Sequence, residues 1–220
     1  MKHPHFKRII SLFIAIAMLL TMIPAFAATS GQFVDFPTGW SKAAMTFSVD
    51  SGLINGKTAD RIDPQANITR AEIATIINRA FGAKITCDIS SYSDIKTSDW
   101  FYTEMQKAVN MQTFQGDGSG KLHPNDYITR EEVMTVIARA IVLENDDYVS
   151  INKFKDYGSI SDWAKPYVSA LISGGYVSGY EDGTVKPKAN ITREEFAQLM
   201  YNIFKTYLSS ANTTYPVCHL

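Results

Sequence analysis

Apolar residues recur at positions i, i+3, i+4, i+7 and i+8 in three stretches of the chain. The first holds Ile73, Ile76, Ile77, Ala80 and Phe81. The second holds Val133, Val136, Ile137, Ala140 and Ile141, and the third Phe196, Leu199, Met200, Ile203 and Phe204. This spacing lays one apolar stripe along an α-helix. A shorter pattern of the same period precedes each stretch: Met45 and Val49, then Met105, Ala108 and Val109, then Val168, Leu171 and Ile172. The pattern predicts three helix pairs, and no single stripe can be buried by its own helix.

The pairs belong to a repeat. Trp40, Trp100 and Trp163 lie just before the first helix of each pair, 60 and 63 residues apart. At constant offsets from them come Gly56, Gly116 and Gly179, then Pro64, Pro124 and Pro187, then the peptides ITRAE and ITREE beginning at Ile68, Ile128 and Ile191. Each unit opens on an aromatic-x-Asp: Phe33 to Asp35, Tyr92 to Asp94, Phe154 to Asp156. Length varies only between units, as expected of whole copies of one supersecondary unit. The linking loop contains Asp182-Gly183, a turn signal, and the alternation after it has room for a small β-bridge at most. Three copies of helix–loop–helix predict a mainly α fold in which the second helices pack as a pseudo-threefold bundle. The unit boundaries read as 33–82, 92–143 and 154–205, with 206–220 as a loose tail.

Thr69 with Glu72, Thr129 with Glu132, and Thr192 with Glu195 fit the S/T-x-x-E capping box, in which hydroxyl and carboxylate satisfy two free amides at a helix start. Capping leaves Arg70, Arg130 and Arg193 unexplained. A cation in the first turn opposes the helix dipole by about 0.3–1 kcal/mol. A guanidinium beside free helix amides is also an anion site. These residues alone leave two roles open: a carboxylate-binding corner, or a salt bridge to Asp35, Asp94, Asp156 or a neighbouring glutamate. The tryptophans pose a similar choice between core packing, which composition favours, and stacking on a sugar face. Gly56, Gly116 and Gly179 allow a tight turn or a close approach of backbone to ligand.

Composition narrows the function. Lys2, Lys7 and Arg8 precede an apolar run, and Ala25-Phe26-Ala27 has the small residues of a signal-peptidase site, so residues 1–27 read as a secretory signal peptide. The run is too short to span a membrane, and no second one follows. Removing 1–27 takes the formal charge from −1 to −4, a poor balance for nucleic acid. Any anionic partner then has to be met by a few placed cations. Cys87 and Cys218 are far apart in sequence, with nothing to indicate that they pair.

Aromatic-x-Asp, Trp, a GYxDGT-type loop, Pro and ITRAE or ITREE, in this order and three times over, resemble the S-layer homology (SLH) domain family. The resemblance covers Phe33 to about Lys205. It implies a non-catalytic module at the cell surface that binds secondary cell-wall polysaccharide, typically pyruvylated, in grooves between repeats. It implies further that Arg70, Arg130 and Arg193 meet the carboxylate-bearing sugar, with Trp40, Trp100, Trp163 and the three loop glycines at the matching family positions. Unit three fits best. Unit one departs most, with Gly39 where Asp99 and Asp162 precede the tryptophan and Asp60 where Gly120 and Gly183 stand. Unit two has Asp117 in place of Tyr180.

The competing readings are weaker. An enzyme finds no HExxH, GxSxG or Cys/His pair; His123 sits beside a loop proline and His219 is next to last. The loop at Asp117 lacks the ligand alternation of an EF-hand, so no metal or cofactor is expected. A self-assembling envelope protein without direct glycan binding, or one with envelope protein partners, is the remaining alternative.

Overall fold

The computed structural model describes residues 29–213, so the signal-peptide expectation for 1–27, Cys218 and His219 lie outside the described residues. Cys87 carries a free thiol whose Sγ donates to the Gln106 carbonyl. Seven helices follow in order: α1 (Lys42–Asp50), α2 (Arg70–Ala80), α3 (Tyr102–Asn110), α4 (Arg130–Ala140), α5 (Val149–Asn152), α6 (Lys165–Ser173) and α7 (Arg193–Thr213). The fold is mainly α. The last helix runs past residue 206 into the segment expected to be a loose tail. The short α5 lies in the longer linker before unit three and packs on α6 through the buried Ile151.

The apolar stripes face inward. Ile73, Ile77, Val133, Ile137, Phe196, Met200 and Ile203 are buried in one continuous core with Met45, Met105, Val168 and Leu171 from the first helices. At roughly 1.5–3 kcal/mol for each large apolar side chain, this burial is the main favourable contribution to the fold. The pairing of helices differs from the order in the sequence. Each second helix packs chiefly on the first helix of the next unit: α2 on α3, α4 on α6, and α7 back on α1. The ring therefore closes by joining the end of the chain to its beginning.

The second helices meet around the axis through their ITR segments. Antiparallel bridges join Thr69 to Tyr127, Thr129 to Asn190 and Thr192 to Asn67. Inside them Ile68 N–H donates to Ile191, Ile128 to Ile68 and Ile191 to Ile128. The three isoleucines are buried, so these amides need partners, and a closed triangle provides one for each. Among the described residues the bridges lie between units, where the sequence had suggested at most a bridge within the loop. No described helix is long and apolar enough to cross a membrane.

Candidate functional site

The helix starts are built as the capping box requires. Glu72 Oε2 accepts the Thr69 amide at 2.8 Å and the Glu72 amide donates to the Thr69 hydroxyl. Glu132 with Thr129 and Glu195 with Thr192 repeat this. The next two helix amides are also occupied. Arg70 and Ala71 donate to Asp126 and Pro124 carbonyls, Arg130 and Glu131 to Ala189 and Pro187, and Arg193 and Glu194 to Ala66 and Pro64. The expected convergence of free helix amides on a ligand is therefore corrected, because the neighbouring loop already accepts them.

The arginines cross the same seams. Arg70 Nε donates to the Leu122 carbonyl and Nη1 reaches Glu132 Oε1 at 2.7 Å. Arg130 Nε donates to Val185, with Nη1 3.4 Å from Glu195. Arg193 Nε donates to Ile62, Nη2 donates to Asn55, and Nη1 lies 3.8 Å from Glu72. One oxygen of each capping glutamate thus holds its own helix start while the other faces the arginine of the preceding unit. Of the ion-pair partners considered, the structure supplies the neighbouring glutamate. Asp35, Asp94 and Asp156 instead accept the backbone amides of 62–63, 122–123 and 185–186. Capping left the arginines unexplained, and their bonds to carbonyls of the next repeat give them a role in the fold.

Glu72 and Glu195 feel this environment. Burial works to raise both pKa values, but hydrogen bonds from Lys57 and Thr69 in one case, and from Thr192 and Tyr180 in the other, outweigh it. Nearby Lys57 and Arg193, or Arg130, add to the effect, and both carboxyls stay below the ordinary glutamate value. Burial and the Glu195 contact push the Tyr180 phenol up, so it remains a donor.

Two seams open into grooves. One, of about 550 Å³, runs along α4 from Arg70 past Gly116, Asp117 and His123 to Trp163. The other, of about 640 Å³, runs along α7 from Arg130 past Gly179, Tyr180 and Lys186 to Trp40. Each takes its arginine from one unit, its loop from the next and its tryptophan from the third. In the second, Arg130 stacks over the Tyr180 ring at 4.5 Å. Nη2 of Arg70 and of Arg130 is left for a further acceptor, since Nε and Nη1 are engaged.

The tryptophans correct the expectation of core packing. Trp40, Trp100 and Trp163 are 62, 66 and 50% exposed, and Trp40 and Trp163 form groove walls. The loop glycines have a packing role: a Cβ on Gly56, Gly116 or Gly179 would lie 2.5, 2.6 or 2.4 Å from the ring of Phe33, Tyr92 or Phe154. Trp100 and Arg193 line neither groove, and the Arg193 side chain is only 4% exposed. The sequence also gave no role to Glu131 and Glu194. Both are buried and hold the approach to the next unit's first helix, Glu131 through Ser161 and Lys188, Glu194 through Ser41 and Gln65. The only trace in the sequence is the change from ITRAE to ITREE.

The S-layer homology domain family matches at residues 32–74, 91–134 and 153–197, and the chain belongs to that family. Its class is a cell-surface anchoring module made of three tandem repeats. Similar proteins include the surface-layer 125 kDa protein of Lysinibacillus sphaericus, 30% identical over 77% of this chain and 15% of that protein. A cellulosome-anchoring protein of Acetivibrio thermocellus is 30% identical over 67% of the chain and 34% of its own length. An amylopullulanase of Thermoanaerobacterium thermosulfurigenes is 30% identical over 79% of the chain but 9% of its own length. The chain thus spans about a third or less of these curated relatives.

Proposed function

We propose that the chain is a non-catalytic anchor that binds an anionic secondary cell-wall polysaccharide, carrying pyruvyl ketals, in the grooves between its repeats. The observation that carries this reading is the composition of the two open grooves. Each combines a half-engaged arginine at its floor with an exposed tryptophan at its wall. A guanidinium matches a carboxylate in charge and in the spacing of its donors. An indole face matches the apolar face of a sugar ring. Volumes of about 550 and 640 Å³ fall in the range that holds small ligands.

Two grooves on one rigid ring suit a repetitive polymer. Once one site is filled, the second meets a neighbouring sugar at high effective concentration, so modest single-site affinities add up to firm attachment. The test is co-sedimentation with purified walls before and after mild acid removal of pyruvyl groups. The chain is expected to sediment with the first and stay in solution with the second. Equal sedimentation would contradict recognition of the ketal carboxylate.

A further inference from the structure

The residue before the loop proline differs in charge among the three units: Asp63, His123 and Lys186. All three take the left-handed backbone conformation, with φ of 48, 53 and 49°, which is uncommon outside glycine. Each is held there in the same way, its amide donating to Asp35, Asp94 or Asp156 at 2.9, 2.7 and 2.8 Å. A costly conformation kept for three unlike side chains gives them one common placement. His123 and Lys186 line the two open grooves.

We propose that this pre-proline residue sets the charge of each groove, and that His123 makes the groove beside Arg70 a pH-dependent site for a carboxylated sugar. The inference rests on the anchoring reading above. In the groove beside Arg130 the position is a fixed cation: Lys186 Nζ lies 4.0 Å over the Tyr180 ring and 3.2 Å from Asp182. At the third seam it is a carboxylate, Asp63, 3.4 Å from Arg61. That is also the seam whose arginine, Arg193, is covered and bonded to two carbonyls.

His123 lies between these cases. Its Nε2 is 2.8 Å from Asp117 and its Nδ1 is 3.3 Å from Asp126. Nε2 makes the hydrogen bond, to Asp117, while Nδ1 faces Asp126 at ion-pair distance, so the imidazolium adds an attraction to the second carboxylate that the neutral ring lacks. Deprotonation turns a lone pair toward one of them and removes one positive charge from the groove. The other charged side chains lining it are Arg70, Arg139, Asp117, Asp126 and Glu132. Histidine is the one side-chain type among these whose ordinary titration falls between pH 5 and 8. The bond from His123, with those from Ser119, also holds the Asp117 carboxyl well below the usual range.

A carboxylated ligand should therefore bind this groove more tightly when His123 is protonated. One unit charge within a groove's width, partly screened, corresponds to about a tenfold change in affinity. The test follows backbone amide NMR shifts of the full chain during titration with a pyruvyl ketal of a methyl hexoside, from pH 5.5 to 8.5. Amides of Gly116 to Ser119 report one groove and those of Gly179 and Tyr180 the other. The dissociation constant at the first should rise about tenfold across the series while that at the second stays level, and His123→Gln should level the first. A pH-independent constant at the first groove, or shifts at the second alone, overturns the inference and leaves the anchoring reading standing. No shifts at either groove would defeat both.

Discussion

Arg70 and Glu132 stand 62 residues apart in the chain and 2.7 Å apart across the seam between the first two repeats. The same carboxylate caps its own helix through its other oxygen. Arg130 with Glu195 and Arg193 with Glu72 continue the pattern around the ring, at 3.4 and 3.8 Å. One motif thus starts a helix, joins two repeats and places a guanidinium on the edge of a groove.

Removing these arginines should therefore cost stability, and by unequal amounts. Arg193→Ala strips donors from the Ile62 and Asn55 carbonyls at a covered site and should cost about 2–4 kcal/mol. Arg70→Ala and Arg130→Ala each free one carbonyl at the edge of an open groove, which sets an expected loss of about 1–3 kcal/mol. Urea unfolding of the three variants checks the order. Equal, negligible losses would mean that the guanidiniums do not hold the seams.

The repeat, its helices and its caps were legible because each is local: a period of 3.6, a Thr-x-x-Glu spacing, a constant offset from tryptophan. Which copy a stripe packs against was not. The pattern named no partner for the first helices, and α2 packs on α3 and α7 on α1. Identical stripes carry no label for their partner. The left-handed backbone at Asp63, His123 and Lys186 was invisible for a similar reason, since the carboxylate that accepts each amide lies 28 to 30 residues earlier. Exposure of the tryptophans escaped because an aromatic at a helix start has no period to tell inside from outside.

Gly116 and Gly118 separate crowding from backbone strain. Gly116→Ala would drive a Cβ to 2.6 Å from the Tyr92 ring and 3.0 Å from the Lys121 carbonyl, and should cost about 1–3 kcal/mol. Gly118→Ala meets nothing within 4 Å but sits at φ +83°, so about 1 kcal/mol is expected from strain alone. Thermal unfolding of the pair should place Gly116→Ala lower; the reverse order would refute packing as the reason for the loop glycine.

Acid should loosen the ring. Glu72 and Glu195 have folded-state pKa values below the ordinary 4.5, so the unfolded chain binds protons first as pH falls. Their stabilisation is fully present above pH 4.5 and is lost as pH drops through the lowered folded values. Urea midpoints should be level from pH 7 to 5.5 as far as these two groups are concerned, and decline below about 4.5. A Glu72→Gln, Glu195→Gln double variant should start lower and decline less steeply; an unchanged slope would show that these carboxyls do not set it.

Glu131 is buried, accepts the Ser161 amide and hydroxyl at 3.0 Å each, and meets Lys188. Glu131→Ala leaves the Ser161 amide without its acceptor and should cost about 2–4 kcal/mol in urea unfolding. The first unit carries Ala71 at this position, so the seam from α2 to α3 lacks the clamp. Local opening measured by amide exchange should be easiest there, and slowest exchange at that seam would contradict the assignment.

The groove reading is tested most directly by the tryptophans, because Trp40 and Trp163 are exposed and their removal spares the core. The measurement is wall co-sedimentation of a Trp40→Ala, Trp163→Ala double variant beside its urea midpoint. The account predicts wall affinity at least about tenfold weaker, from loss of stacking in both grooves, with stability changed by no more than about 0.5 kcal/mol per site. A variant that stays folded and sediments as the parent does would contradict it.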